Sequence, residues 1–352
     1  MTRLSLAEAI GWGSLRCPRC RGGFSLEAEE GEEAVRCQEC GAAYPAQAGI
    51  PSLLPEADGR NDRVREFWGA LYDAAYREHD ERMGRADLLS RLDDLLEMFR
   101  HRRHLAAVEM PLGDLEGKRV LEVGSGAGGH SALFSRLGAR VFSVDITPQR
   151  VVATAAKLDL LGGAPKDLAL QGDASALPFP DDFFDIAYSN GVLHHTPYVG
   201  RAVEELHRTL KPEGRAVVML YAKNSFLYRG VLFPVKGILL GGASRNRDWL
   251  GRATEWMSSR RQRVYNPKTE VFSGREIERL FARFRTVSIR KGSFTFDQIP
   301  LIGKLLGKVA GRRTGYNPGG VLVYGFPWRN ETSFELWAGR GIGFALNISA
   351  TK

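Results

Sequence analysis

Apolar and polar positions change period several times along the chain, and each change marks an element. Between Lys118 and Tyr221, short unbroken apolar runs alternate with amphipathic stretches. Arg119-Val120-Leu121-Glu122-Val123 reads as a buried strand entering a glycine-rich turn, Gly124 to Gly129, with Ser131 to Phe134 opening a helix. Arg140 to Val144, Leu168 to Gln171, Phe184 to Tyr188 and Arg215 to Tyr221 supply further strands, and a helix is expected over Ala202 to Thr209. Strands alternating with helices predict an α/β fold whose parallel sheet is covered on both faces. Upstream, Leu88, Leu92, Leu95, Leu96 and Phe99 recur at helical spacing, so residues 58–110 read as one or two helices broken near Gly84 and ending before Pro111. Downstream, departures at about 221–268 and 291–340 interrupt the pattern. Between them Ser273 and Glu276 form a capping box, and Thr286 to Arg290 reads as a sixth strand. The second departure holds a short apolar helix, Ile299 to Val309, and Gly343 to Ala350 closes as a seventh strand, the antiparallel partner of the sixth. The chain divides into 1–57, 58–110 and 111–352.

Composition leaves the globular reading intact: 352 residues, 43% hydrophobic and 26% charged. No secretory pattern opens the chain, and the apolar run Val231 to Leu240 is broken by Pro234 and Lys236. It is half the roughly 20 residues a membrane span needs. A cytoplasmic enzyme without a membrane span is expected. Charge is uneven: residues 221–352 hold 23 Lys/Arg against 8 Asp/Glu, whereas residues 1–220 hold 26 against 33. Either the carboxyl-terminal part faces an anionic partner or it carries a solvated basic face.

All four cysteines lie near the amino terminus, as Cys17-Pro-Arg-Cys20 and Cys37-Gln-Glu-Cys40. Two such knuckles can place four thiolates around one tetrahedral zinc with no open position, so the site would be structural. Gly22-Gly23 and Gly41 would let the backbone turn toward the metal. A pair of disulfides or a redox couple are the competing readings. Cys40-Gly-Ala-Ala-Tyr-Pro45 followed by Gly49-Ile-Pro-Ser-Leu-Leu-Pro55 resembles the zinc-ribbon family of methyltransferase activators, over roughly residues 14–56.

A glycine-rich turn after a strand is shared with dinucleotide-binding enzymes. The features that follow separate them. Asp145 ends the second strand, where an acidic side chain can accept from both hydroxyls of a ribose. Gly172-Asp173-Ala174 follows the third strand, Leu177-Pro-Phe179 comes next, Asn190 and Leu193-His194-His195 follow the fourth, and Leu210-Lys-Pro-Glu-Gly214 precedes the fifth. In this order the motifs resemble the class I S-adenosylmethionine-dependent methyltransferases, specifically the group of ubiquinone and menaquinone biosynthesis enzymes. The resemblance implies a Rossmann-like seven-stranded sheet of order 3-2-1-4-5-7-6. It also implies S-adenosyl-L-methionine as cofactor. Gly124, Gly126 and Gly128 would pack against its methionine and ribose, Asp145 with Ile146 would bind the ribose, and Asp173 with Ala174 would read the adenine. Asn190 would lie beside the methionine, and Glu122 would order the turn. A nicotinamide dehydrogenase is the structural rival; no second hydride-handling constellation supports it.

Methyl transfer needs an aligned nucleophile, and a base only for hydroxyl, thiol or carbon acceptors. His195, and next to it His194, are the candidate catalytic residues; the competing reading makes both scaffold. Trp68, Tyr72 and Tyr76 recur at spacings of four, as packing or as a pocket wall. The first insertion carries Lys223, Arg229, Lys236, Arg245, Arg247, Arg252, Arg260, Arg261, Arg263 and Lys268 among several aromatics, which suits an anionic or planar acceptor. Three functions follow: methylation of a small biosynthetic molecule, methylation of rRNA or tRNA, or a cofactor-binding interaction module. Residues 1–60 hold 6 Lys/Arg against 9 Asp/Glu, a poor grip for phosphates, so the small molecule is favoured over nucleic acid.

Overall fold

The computed structural model describes residues 3–29, 32–55, 59–163, 165–259 and 262–352. The expected boundary at 57/58, and Arg260 and Arg261, lie outside the described residues. A short helix, α1 (Leu6–Gly11), is capped by Ser5 and Glu8, and precedes four antiparallel strands: β1 (Phe24–Glu29), β2 (Glu32–Cys37), β3 (Ala43–Gln47) and β4 (Ile50–Leu53). The lead-in has helices α2 (Gly59–Ala75), α3 (Arg77–Arg82), α4 (Arg85–Arg102) and a single turn α5 (Leu105–Val108). The break expected at Gly84 is joined by another at Tyr76. Leu88, Leu92, Leu95, Met98 and Phe99 turn one face of α4 into the core.

The sheet of the central region follows from its apolar runs: β5 (Arg119–Val123), α6 (Gly129–Arg136), β6 (Arg140–Asp145), α7 (Pro148–Leu161), β7 (Leu168–Gly172), β8 (Phe184–Asn190), α8 (Val199–Thr209) and β9 (Leu210–Tyr221). The first insertion contains a wide π-type helix at Leu227–Leu239, α9 (Gly242–Arg245), α10 (Trp249–Thr254) and a hairpin of β10 (Trp256–Ser259) with β11 (Gln262–Tyr265). Then come α11 (Gly274–Leu280), with its Ser273/Glu276 capping box formed, and β12 (Thr286–Gly292). The second insertion holds α12 (Gly303–Thr314), β13 (Tyr316–Asn317), α13 (Val321–Tyr324), β14 (Trp328–Arg329) and α14 (Ser333–Ile342), and β15 (Ala345–Thr351) closes the chain. The expected apolar helix thus starts and ends some four residues later than its hydrophobicity suggests.

Strand order is β1-β2-β3-β4-β7-β6-β5-β8-β9-β15-β12. From β7 onward this is the 3-2-1-4-5-7-6 order of the class I methyltransferase fold, with β15 antiparallel between β9 and β12. The strand count differs from seven because the ribbon is no separate bead. Ser52 and Leu53 of β4 pair in parallel with Gln171 and Gly172 of β7. That pairing covers an edge that would otherwise present unpaired backbone groups. Leu4 N–H bonds the Asp167 carbonyl at 2.7 Å, and Arg21 reaches Glu205 at 2.7 Å, so the ribbon is tied to the core from both sides. Leu15, Phe24, Val35, Tyr44 and Leu53 share one apolar cluster with Leu121, Phe142 and Leu170 of the central strands.

Candidate functional site

The carboxyl ends of β5, β6, β7 and β8 open into one cavity of about 630 Å³. Ligands in open α/β sheets bind at this edge, where the strand order reverses between the first and fourth core strands. Gly124, Gly126, Asp145, Ile146, Asp173, Ala174, Asn190 and His195 all line it. Glu122, Gly128 and His194 do not.

Asp145 is buried, and its two oxygens accept from the backbone N–H groups of Thr147 at 2.9 Å and Gly126 at 3.0 Å. Burial pushes its carboxyl upward, against Arg150 and those two N–H groups. These bonds hold the carboxylate at the turn with lone pairs left for a ribose diol. Gly126, at φ +57°, presents bare backbone to the cavity; a side chain at Gly124, by contrast, would run into Val192. Asp173 Oδ1 accepts from the Ser175 N–H at 2.8 Å, and its Oδ2 accepts from Asn61 of α2 at 2.7 Å. The Asn190 side-chain oxygen is buried with no partner among the described residues. A buried acceptor facing a cavity without a donor is costly unless a ligand satisfies it. An ammonium group and an adenosine match this donor and acceptor set, so the residues present fit S-adenosylmethionine.

One expected ligand contact is corrected. Gly128 faces α7, where an added Cβ would lie 2.6 Å from the Thr154 Cα; it serves helix packing, not the ligand. Glu122 turns into the protein, where it accepts a bond from Ser131 Oγ at the start of α6 and lies 3.5 Å from His130. It holds the turn to the helix from behind.

The histidine pair divides. His194 is fully buried with both ring nitrogens unpaired among the described residues, and its ring lies 3.8 Å from that of Tyr221. Burial drives its pKa well below the ordinary value, and it does not line the cavity; a catalytic role for it is therefore withdrawn. His195 reaches the cavity. Its Nδ1 lies 2.9 Å from the Asn266 amide nitrogen and 3.0 Å from the Lys268 carbonyl, and its Nε2 lies 3.8 Å from Glu255. Burial lowers its pKa, and Glu255 opposes that shift only in part. The ring is neutral and so keeps a lone pair, and the carboxylate beside it favours the charged form; these are the parts of a general base. Glu255, Asn266 and Thr269 were invisible to sequence reasoning: they lie 60 to 74 residues away, in an insertion without a motif.

Beyond Asn190 the walls come from outside the central sheet. Trp68 and Tyr76 of the lead-in helix line it, while Tyr72 turns away to donate to Asp80 at 3.0 Å. Arg150 lies 4.9 Å over the Trp68 ring. Arg102 is nearly buried, bonded to Glu331 at 2.6 Å and set 4.4 Å over the Trp328 ring. Arg290 is held by Glu109, and Arg340 of α14 has no ion pair among the described residues.

In the ribbon the four cysteine sulfurs lie within 4.8 Å of one another. Cys17 and Cys40 are 3.8 Å apart, Cys20 and Cys37 3.3 Å. That is the spacing of four thiolates around one tetrahedral ion. At the first knuckle the positive φ belongs to Arg21 (+69°) rather than to a glycine; Gly22 instead permits close approach to the Cys37 sulfur.

Comparison with known proteins agrees with this geometry. Residues 121–218 match the family described as "Methyltransferase domain". The chain is 32% identical over 135 residues to the ubiquinone/menaquinone biosynthesis C-methyltransferase UbiE of Pectobacterium carotovorum, covering 38% of this chain and 54% of that one. It is 38% identical over 101 residues to the uncharacterized methyltransferase YcgJ of Bacillus subtilis, covering 29% and 40%. It thus spans about half the length of the curated relatives it matches. Among solved structures, the complex of the Haloferax volcanii Trm112 methyltransferase activator with a methyltransferase superposes with a TM-score of 0.44 at 16% identity, over 76% of this chain and 95% of that one.

Proposed function

We propose that this chain, whose residues 121–218 are a class I methyltransferase domain, transfers the methyl group of S-adenosylmethionine to a small-molecule acceptor. One observation carries the acceptor class. The cavity of about 630 Å³ that holds the cofactor residues is also lined by Trp68, Tyr76, Tyr324, Leu336 and Arg340 from the lead-in and the second insertion, so cofactor and acceptor share one molecule-sized space. A polynucleotide would need an open groove there.

The residues divide the work. Asp145 holds the ribose, Asp173 and the Ala174 backbone hold the adenine, and Asn190 accepts from the methionine ammonium. Bound there, the cofactor supplies an electrophilic methyl on a positively charged sulfur. Trp68 and Tyr76 exclude water and orient the acceptor, with Arg340 free to meet an anionic group on it. Positioning supplies most of the acceleration. His195 Nε2 takes the acceptor's proton, and Glu255 stabilises the imidazolium that results. The ribbon's four cysteines would hold a structural zinc.

A second reading, RNA methylation, draws on the basic excess of residues 221–352. Against it, Arg102 and Arg290 at the cavity are already paired with Glu331 and Glu109.

Calorimetry with S-adenosylmethionine and its demethylated product tests the first step: micromolar binding is expected, and none would sink the enzymatic reading. Retention of tRNA or rRNA transcripts at low salt would overturn the small-molecule assignment. With an acceptor in hand, His195→Ala should lower kcat about 10²- to 10⁴-fold with little change in cofactor affinity. Equal losses in both would remove it as the base.

A further inference from the structure

The helix α12 is folded inside out relative to its sequence. Its buried face consists of Gly303, Gly307, Ala310 and Gly311, while Ile302, Leu305 and Val309 face solvent. The glycines let it lie flat on the protein: a Cβ on Gly303 would come 2.4 Å from the Phe296 carbonyl, and one on Gly307 would meet the Asp297 carboxylate at 2.2 Å. A helix that stabilises only its own domain buries its large apolar residues and leaves the small or polar ones outside. Here Leu305 is 65% exposed, and Leu301, just ahead of the helix, is fully so.

The first insertion repeats the arrangement. At the end of its wide helix, Leu232 and Gly237 are buried whereas Ile238, Leu239 and Leu240 stand out, Leu239 at 78% exposure. The two helices are neighbours. Val231 and Lys236 of the first, Lys304 of the second and Leu301 just ahead of it line a common cleft with Tyr221, a residue that also lines the main cavity. Of the protruding apolar side chains, Leu301 lies in that cleft, and Ile238, Leu239 and Leu305 stand on the two helices whose other residues flank it.

Glu255 and Asp297 line the cleft, but the two helical segments themselves are basic. Residues 221–247 contain five Lys/Arg and no Asp or Glu, and residues 298–330 contain five and none. Lys304, Lys308, Arg312 and Arg313 are exposed and make no ion pair among the described residues. A second copy meeting this face by the same patch would oppose cation to cation, which disfavours self-association. Exposed leucines among unpaired lysines and arginines suit a different partner: anionic headgroups accept the cations while the apolar tips enter the acyl boundary. Among the described residues no helix is long and apolar enough to cross a bilayer, and the proposed contact is one with the interface.

We propose that the two carboxyl-terminal insertions form a peripheral docking surface for an anionic lipid bilayer, with the cleft between them opening onto it. This goes beyond the methyl-transfer reading and does not depend on it.

Flotation of the full chain with vesicles tests it, comparing pure phosphatidylcholine with vesicles containing about a third phosphatidylglycerol. Partitioning onto the anionic vesicles alone is expected, weakening with salt. Leu239→Asp and Leu305→Asp each should lower the partition coefficient at least about tenfold, and Lys308→Glu at least about fivefold. All three positions are exposed, so cofactor affinity and melting temperature should stay as in the parent, which separates loss of docking from loss of fold. No partitioning onto anionic vesicles, or partitioning unchanged in all three variants, would overturn the proposal. A parent chain that is dimeric by sedimentation and rendered monomeric by Leu305→Asp would also overturn it and assign the face to a second copy.

Discussion

The ribbon and the carboxyl-terminal insertions are both additions to one seven-stranded core, and they dispose of their apolar residues in opposite ways. The ribbon spends Leu15, Val35, Tyr44 and Leu53 on the shared interior and completes a sheet edge. The insertions wall the chamber with part of their surface and send Ile238, Leu239 and Leu305 outward. An addition that merges with the core supports the fold. One that keeps its apolar side chains outside is built for something not in the chain. The difference is one of direction, not of hydrophobic content.

Metal removal should separate the two regions most sharply. A ribbon of this size has too little interior to fold unaided, and structural zinc contributes on the order of 10 kcal/mol in such units. Chelation, or Cys37→Ser, should abolish amide protection in β2 to β4 while α12 to α14 keep theirs by hydrogen exchange. Cofactor affinity should also fall, because β4 lies against β7, which delivers Asp173. Full protection of β2 to β4 after chelation would refute a metal-dependent ribbon.

Truncation of a single leucine comes next. Leu53→Ala empties a fully buried site and should cost about 2–5 kcal/mol. In the cofactor site, Asp145→Asn keeps the shape but removes the charge that Gly126 and Thr147 bond to. Affinity for S-adenosylmethionine should drop about 10- to 100-fold, reflecting about 1.5–3 kcal/mol for a charged hydrogen bond; unchanged binding in titration calorimetry would place the ribose elsewhere.

Acid should act through the buried histidines of the lead-in and the central region. His104, His194 and His195 all have pKa values lowered by burial, the first two strongly, whereas residues 1–57 contain no histidine. Below the ordinary value of 6.5 the unfolded chain binds protons that the folded one refuses, so stability falls as pH falls. The expected slope is about 1.4 kcal/mol per pH unit for each such histidine. Urea melts at pH 7 and pH 5 would measure it, and a flat profile would show these rings to be solvated. The smallest effect belongs to Leu305→Ala, which should change stability by no more than about 0.5 kcal/mol. A loss comparable with that of Leu53→Ala would mean that α12 packs against its own chain after all.

Much of the site was legible because its signals are local. Asp145 and Asn190 end strands and Asp173 directly follows one, each announced by an apolar run, and the glycine turn lies directly after the first strand. Even there local sequence misassigned Gly128, since only the packing of α7 against α6 shows which way that glycine faces. His194 and His195 are adjacent and chemically identical. The fold buries one against Tyr221 and turns the other to the cavity, where Glu255 and Asn266 meet it from an insertion some 60 to 71 residues away. Arg102 and Glu331, 229 positions apart, carried no mutual signal at all.

What the amino-acid sequence determined by itself is the order and type of the central elements and the chemistry delivered at their ends. Apolar runs, turns and capping residues act over a few positions, and their physics is complete within that range. What only the tertiary structure decided is orientation. In α12, Gly303, Gly307 and Gly311 recur at the same helical period as Leu301, Leu305 and Val309, so the pattern predicts a helix but not its inner face. Close approach to Phe296 and Asp297 leaves room there for glycine alone, and that constraint comes from neighbours the helix meets only after folding.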